Sequence, residues 1–344
     1  MADLSDIQKR KNDHINITLK RDVSSAITAR FEDFSFQHCA LPDIDFAKVS
    51  TNTRFLGFDL HSPILISSMT GGTDEGERIN RNLAEAAQEK QIAMGVGSQR
   101  ASIECGSKTQ GVQLRTIAPS VPLFANLGAV QLNYGFSVDE CQKAVDLIEA
   151  NGLILHLNPL QEALQQEGQT NFKGLSAKIE LICSKINVPV IVKEVGWGIS
   201  APIAKHLVEL GVSVIDVSGA GGTSWSEVEK YRTSDSRLYE ISSQFRDWGI
   251  PTAFAVRNIR RVLPDTPIIA SGGLRRGMDL AKSIALGATI GGFAGRFLKA
   301  AAASTKQVIE VIDEISLELR IAMFAAGVEN IESLSTVPLI FKEE

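Results

Sequence analysis

From Pro63 onward the chain alternates short apolar runs, rich in Ile and Val, with longer stretches in which apolar residues recur every three or four positions. The runs are Pro63 to Ser68, Ile92 to Gly97, Pro122 to Asn126, Leu153 to Asn158, Pro189 to Lys193, Ser213 to Val217, Pro267 to Ser271 and Ala288 to Phe293. Runs of this length predict buried strands. The periodic stretches Glu75 to Lys90, Val138 to Ala150, Leu175 to Ile186, Ala201 to Leu210 and Met278 to Leu286 predict the helices between them. Gly152, Gly211 and Gly287 stand where three of those helices should be C-capped. Eight βα units can close into a barrel or lie in an open doubly wound sheet. The strand ends separate the two. All eight finish in small or polar residues: Ser67-Ser68, Gly97-Ser98, Asn126, Asn158, Lys193, Ser218, Ser271-Gly272 and Ala294-Gly295. In a barrel these ends converge on one face and build one site, so the expected fold is a single (β/α)8 TIM barrel of the α/β class.

Three segments fall outside the eight units. Residues 1–60 form an N-terminal extension, with a basic segment and short extended runs around Thr53 to Leu60, ahead of a barrel over 61–344. Thr223 to Ile250 is a long loop after the sixth strand, and Ser304 to Ala326 predicts a long C-terminal helix. A barrel takes about 250 residues, so a chain of 344 has room for all three. With 44% hydrophobic and 22% charged residues, disorder and fibre are excluded. A net charge of -5 argues against a broadly basic surface for nucleic acid or anionic lipid, so an anionic ligand must be held locally. Cys39, Cys105, Cys141 and Cys183 lack a CxxC pair or a His cluster and suggest neither zinc nor a disulfide framework. The first residues contain no apolar signal core, and the uncharged stretch Thr116 to Val138 is broken by Pro119 and Pro122. A cytoplasmic chain without a membrane span is therefore expected.

The glycines carry the next inference. SGGLRRG (271–277) follows the seventh run and GGFAGR (291–296) ends the eighth. Loops after strands seven and eight, with a helix N-terminus, make the usual phosphate site of a barrel. A third cluster, GAGGTSW (219–225), follows the sixth run. Lys193 ends the fifth at an interior-facing position, where a charge is costly unless an anion meets it. A flavin, which gathers negative charge near N1 when reduced, meets that need. Taken singly, KRK (9–11) reads as a solvated basic run and His156 as a hydrogen-bonded core histidine.

The motifs RKNDHI (10–15), SSMTGG (67–72), MGVGSQR (94–100), HLNPLQE (156–162), VKEVGWG (192–198), DVSGAGGTSW (216–225) and SGGLR (271–275) change those single readings. Together they resemble the type 2 isopentenyl diphosphate isomerases, FMN-dependent (β/α)8 barrel enzymes of isoprenoid biosynthesis. The resemblance spans the chain; RKNDH and HLNPLQE are its specific parts, whereas SGGLR occurs in many FMN barrels. It implies FMN contacts from Ser68, Met69, Thr70, Ser98, Asn126, Lys193, Ser218, Thr223, Gly273, Leu274, Arg275, Ala294 and Gly295. It implies a diphosphate substrate held by Arg10, Lys11, His14, Ser98, Gln99, Arg100, Asn158 and Gln161, with Mg2+ on Glu162. Gln161, His156 and Lys193 are then the catalytic group, and NADPH primes the flavin without net redox. It further implies a homo-oligomer, tetramer or octamer, with no nucleic-acid or membrane partner. The basic N-terminal arm is expected to be disordered until a diphosphate binds. The rivals are an FMN-dependent 2-hydroxy-acid oxidase or dehydrogenase and a non-catalytic flavin scaffold. Such oxidases carry a catalytic His in an SNHGG-like loop after the sixth strand, where this chain reads SGAGG with Ala220 in its place. No Cys nucleophile follows that strand, which disfavours an inosine-monophosphate-dehydrogenase-like reading, and a scaffold has no use for RKNDH or Gln161-Glu162.

Overall fold

The computed structural model describes residues 4–104 and 114–342, with side chains from residue 9 onward. Each apolar run is a strand: β1 (Ile64–Ile66), β2 (Ala93–Gly95), β3 (Leu123–Gly128), β4 (Gly152–His156), β5 (Val190–Lys193), β6 (Val214–Asp216), β7 (Ile268–Ser271) and β8 (Ile290–Phe293). They pair in parallel and in chain order, and β8 closes onto β1 with Gly291 opposite Ile64 and Phe293 opposite Ile66. The expected helices are Asp74–Lys90, Val138–Leu147, Leu175–Lys185, Ala201–Glu209 and Gly277–Ala285. Gly211 and Gly287 follow two of them in the left-handed region, with φ of 94° and 109°. Gly152 has a different role from the C-cap expected of it. It opens β4, and an added Cβ would meet the Phe124 ring at 3.0 Å, so close packing between strands is what requires glycine there.

Burial follows the period of two that a strand imposes. Ile64 and Ile66 face the helices, whereas Leu65 faces the barrel axis. One residue from each strand, Leu65, Ala93, Phe124, Ile154, Ile191, Val214, Ile269 and Ile290, fills the interior as a dry layer. The antiparallel hairpin of Thr53–Phe55 and Phe58–Leu60 adds Phe55 and Leu60 to that layer, and Phe55 meets Phe124 edge-on with ring centroids 6.1 Å apart. The barrel is thus plugged where its strands begin. Two positions further along each strand the inward residues are Ser67, Gly95, Asn126, His156, Lys193, Asp216, Ser271 and Gly292, and the interior turns polar.

The additions frame this polar end. The loop after β6 carries two helices, Trp225–Arg232 and Ser236–Ser243. The long C-terminal helix spans Thr305–Ala325, and Leu339–Phe341 beyond it pairs with Phe34–Phe36, joining the extension to the end of the chain. Cys39, Cys141 and Cys183 are free thiols, and Cys105 lies outside the described residues. Among the described residues no helix is long and apolar enough to cross a membrane.

Candidate active site

The polar ring is tied together by side chains from adjacent strands. Asn126 donates its Nδ2 to the Val96 carbonyl at 3.1 Å, which turns its Oδ1 toward His156 Nδ1 at 2.8 Å. His156 Nδ1 is therefore the protonated nitrogen, and Nε2 keeps its lone pair. Burial, aided by the Lys193 charge, pushes the His156 pKa down to about 3, so the ring is neutral at physiological pH. Lys193 is buried and donates to the main-chain oxygen of Glu194 at 2.6 Å. Burial draws its pKa down, against the pull of Asp216 and then Glu194. The Glu194 carboxylate accepts the N–H groups of Val195, Gly196 and Trp197 at 2.6, 2.8 and 2.7 Å and so shapes the loop after β5. Burial nevertheless lifts its pKa to about 7.

On the β7 and β8 side the side chains give way to backbone. The helix Gly295–Ala303 begins without a side-chain cap, which leaves its first N–H groups to water or a ligand, and a Cβ on Gly295 would meet nothing within 4 Å. Gly273 (φ 82°) lies so close to the loop after β6 that a Cβ would meet the Gly221 carbonyl carbon at 2.7 Å. Ser67 Oγ and Ser68 Oγ are buried with no partner among the described residues. An open helix N-terminus beside glycine loops, with hydroxyls left over, fits a phosphate-bearing flavin. Leu274 has its side chain buried in the core, so only its backbone is open to a ligand there. Arg275 is exposed, its N–H bonded to Asp279 and its carbonyl to Arg296. Ser218 holds a left-handed φ of 37°, unusual outside glycine, and Thr223 is bridged to Ser24.

The roof of the mouth is the N-terminal segment. It is the helix Leu4–Lys20 rather than the disordered arm expected from its composition. Two anchors account for the order: Ile15 is buried, and the chain after the helix is stitched to the loop after β6 through Ser25 N to Gly222 O and Ser224 N to Val23 O, both 2.8 Å. Lys11 reaches the Ser98 carbonyl at 3.1 Å. His14 stacks edge-on against Trp225, with centroids 5.0 Å apart, and bonds Glu229 Oε1 at 3.0 Å. The same Glu229 oxygen accepts from Gln161 Nε2 at 3.1 Å, and its other oxygen accepts from Arg232 Nε at 2.7 Å. Burial pushes Glu229 up, but the bonds from His14 and Arg232 outweigh it and hold the pKa at about 2.

Gln161 is thereby oriented: its nitrogen faces Glu229, and its oxygen accepts from Asn158 Nδ2 at 3.2 Å. Asn158 Nδ2 also donates to Glu162 Oε1 at 2.9 Å, and the Gln169 N–H holds Glu162 Oε2 at 2.6 Å. Arg10 lies within the field of Glu162, Arg100, Glu229 and Arg232, and burial lowers its pKa. Arg100 bonds Glu104 and Gln169. Gln99 stands apart from the mouth group in one respect. Its amide is committed to the scaffold, accepting from Asn126 N at 3.0 Å and donating to the Ala144 carbonyl at 3.1 Å. Met69 and Thr70 are half-buried in the loop after β1. Sequence reasoning missed Glu229, Trp225, Arg232 and Asp216; a signal was available only for Asp216, a charge inside the predicted buried run Ser213 to Val217.

A closed parallel barrel with glycine loops and an open helix N-terminus at one end is the architecture of the FMN-dependent dehydrogenases, and a family model described as FMN-dependent dehydrogenase matches residues 144–339. Solved structures agree on the fold. A putative lactate oxidase from Pediococcus acidilactici superposes with a TM-score of 0.70 at 19% identity, over 100% of this chain and 96% of its own. A mandelate oxidase superposes with a TM-score of 0.67 at 16% identity, over 99% of this chain and 100% of its own. Sequence comparison is narrower. Proteins named isopentenyl-diphosphate delta-isomerase from Vibrio campbellii and Synechocystis sp. are each 49% identical to this chain, covering 95% and 96% of it and 97% and 95% of their own lengths. The chain belongs to the isopentenyl-diphosphate delta-isomerase family, in its FMN-dependent type 2 branch, and is an enzyme.

Proposed function

We propose that the chain interconverts isopentenyl and dimethylallyl diphosphate, adding a proton at one carbon and removing one at another so that the double bond moves without net redox. One observation carries the reading: Gln161, tied between Asn158 and Glu229, lies beside Glu162 under a helix that brings in Lys11 and His14. FMN is the cofactor the site fits. Gly273, Leu274, Ala294 and Gly295 would hold its phosphate through backbone N–H groups, with the exposed Arg275 side chain beside them, and Ser68, Met69, Thr70, Ser98, Asn126, Lys193, Ser218 and Thr223 would hold the rest. When bound and reduced, FMN supplies an acid–base group and an electron-rich face for the alkene. Lys193 balances negative charge on the ring side of the mouth, and neutral His156 offers Nε2 as an acceptor. Gln161 fixes the orientation of the reacting carbons, while Arg10, Lys11, His14 and Arg100 neutralise the diphosphate and the helix excludes water.

Glu162 would bind Mg2+, the other ligands being phosphate oxygens and water. This suits the protein, since among the described residues no three His, Cys, Asp or Glu side chains group to hold a metal by themselves. NADPH would reduce the flavin before turnover. The reading includes a cytoplasmic homo-oligomer, tetramer or octamer, which light scattering tests. The oxidase alternative lacks its base: Ala220 is fully buried and its N–H is bonded to the Ile250 carbonyl at 2.9 Å. The decisive experiment is anaerobic incubation of the purified chain with FMN, NADPH, Mg2+ and isopentenyl diphosphate. Dimethylallyl diphosphate is expected; its absence with and without reductant rejects the function.

A further inference from the structure

The inward polar ring holds two charge-bearing side chains, Lys193 on β5 and Asp216 on β6, and they stand opposite each other in the strand register. The other six positions, Ser67, Gly95, Asn126, His156, Ser271 and Gly292, are uncharged at neutral pH. Asp216 is 1% exposed and Lys193 7%, so water screens neither. Their direct partners nevertheless differ. Lys193 Nζ donates to the Glu194 carbonyl, and among the described residues no carboxylate lies within ion-pair distance of it. Asp216 is anchored by neutral donors, the Ser271 hydroxyl and the Ser218 N–H.

A buried ammonium without an anion sheds its proton, and an anion in direct contact takes up its N–H groups. The ring avoids both outcomes. We propose that Asp216 is a positioning residue for charge, which holds Lys193 as an ammonium inside the barrel while leaving its remaining N–H groups to an anionic ligand in the mouth. Only the identity of that ligand, the flavin, rests on the functional reading above. The titratable groups around Lys193 are His156 on β4, Asp216 on β6 and Glu194 in its own loop. His156 is neutral, and Glu194, whose carboxylate accepts three N–H groups of the loop, pulls on Lys193 less than Asp216 does. Asp216 is the stronger of the two carboxylates that act on Lys193, and although burial raises its own pKa, the Lys193 charge, the Ser271 hydroxyl and the Ser218 N–H all favour its ionised form. Asp216→Asn removes the charge and keeps an acceptor oxygen of the same shape for the Ser271 hydroxyl.

The test reads Lys193 directly and without FMN. Trace acetylation of the folded chain across pH 6 to 11, followed by peptide mass spectrometry, gives the pH at which Lys193 becomes half reactive. In Asp216→Asn that midpoint is expected at least about one pH unit below wild type, and in Asp216→Glu within about half a unit of it. Coincident midpoints in wild type and Asp216→Asn overturn the proposal. Should Asp216→Asn fail to fold by circular dichroism, Asp216→Glu decides, since a midpoint more than about one unit below wild type there also overturns it. FMN titration of the same proteins is a separate arm: affinity in Asp216→Asn is expected to fall about tenfold between pH 6 and pH 9, and the Asp216→Asn, Lys193→Met double variant to lose that dependence. Failure of wild type to bind FMN at any pH would refute the flavin reading and leave the Lys193 midpoints to decide the role of Asp216.

Discussion

Glu229 shows how much of a site can hang on one carboxylate. Two of its partners, His14 near the N-terminus and Gln161 near the middle of the chain, meet on the same oxygen. Glu229→Gln replaces that shared acceptor with an amide and is expected to lower kcat about tenfold, with Gln161 misaligned, as steady-state kinetics on isopentenyl diphosphate would register. It also changes acid stability. The Glu229 pKa falls from 4.5 to about 2 on folding, so its ionised form stabilises the protein fully above pH 4.5 and that contribution disappears as pH drops through about 2. The amount is on the order of 3 kcal/mol, and urea unfolding between pH 5 and pH 2.5 should show a flatter acid limb in the Gln variant. His156 adds to the same limb: its pKa is depressed from 6.5 to about 3, so stability is lost as pH falls below 6.5. Nitrogen NMR should find the ring neutral and protonated on Nδ1 from pH 5 to 8; an imidazolium signal at pH 6 would contradict the buried geometry. Of these residues His156 was legible from its motif, whereas Glu229 was not. A glutamate in a loop reads as solvated until the folded chain brings His14 and Arg232 to it.

At the scale of elements, the eight strands were readable because each lies in a short apolar run cut off by small or polar residues, and the helices because their apolar stripe has a period near 3.6. Gly152 misled because a glycine between helix and strand serves either neighbour, and only the Phe124 ring on the adjacent strand decides which. The N-terminal helix misled for a related reason: its polar composition hides the fact that residues 23–25 tether it to the loop after β6. Deleting residues 1–20 is therefore expected to raise KM for the diphosphate more than about tenfold while leaving FMN affinity within a factor of about two, a split that parallel kinetic and fluorescence titrations would reveal. The helix Gly295–Ala303 allows a complementary experiment. A Cβ at Gly295 has open space, so Gly295→Asp should fold normally, yet its carboxylate would stand at the helix N-terminus proposed to take the flavin phosphate. FMN affinity is expected to fall about a hundredfold, with the thermal midpoint of the FMN-free protein unchanged.

Across the whole molecule, charge and architecture answer to different rules. The chain carries a net charge of -5, yet Arg10, Lys11, His14, Arg100 and Arg232 gather around one mouth, so the sign of the total says little about the ligand. Toward the opposite end the barrel interior is filled by apolar side chains. Phe55→Ala empties a fully buried ring site beside Phe124 and is expected to destabilise the fold by about 3 to 5 kcal/mol, measurable as an earlier urea midpoint. That hairpin was visible in the sequence as short extended runs, but its position beneath the barrel was not, because nothing in its own pattern names the partner it covers.

The plug beneath the barrel also governs traffic. A tube stopped at one end has a single door, and the floor of Phe55 and Leu60 allows no passage from strand start to strand end. Whatever reduces the cofactor and whatever reacts on it must come and go by the same opening, in turn. Reductant and diphosphate should then exclude each other, and oxidation of NADPH by the FMN-loaded protein is expected to slow competitively as isopentenyl diphosphate is added.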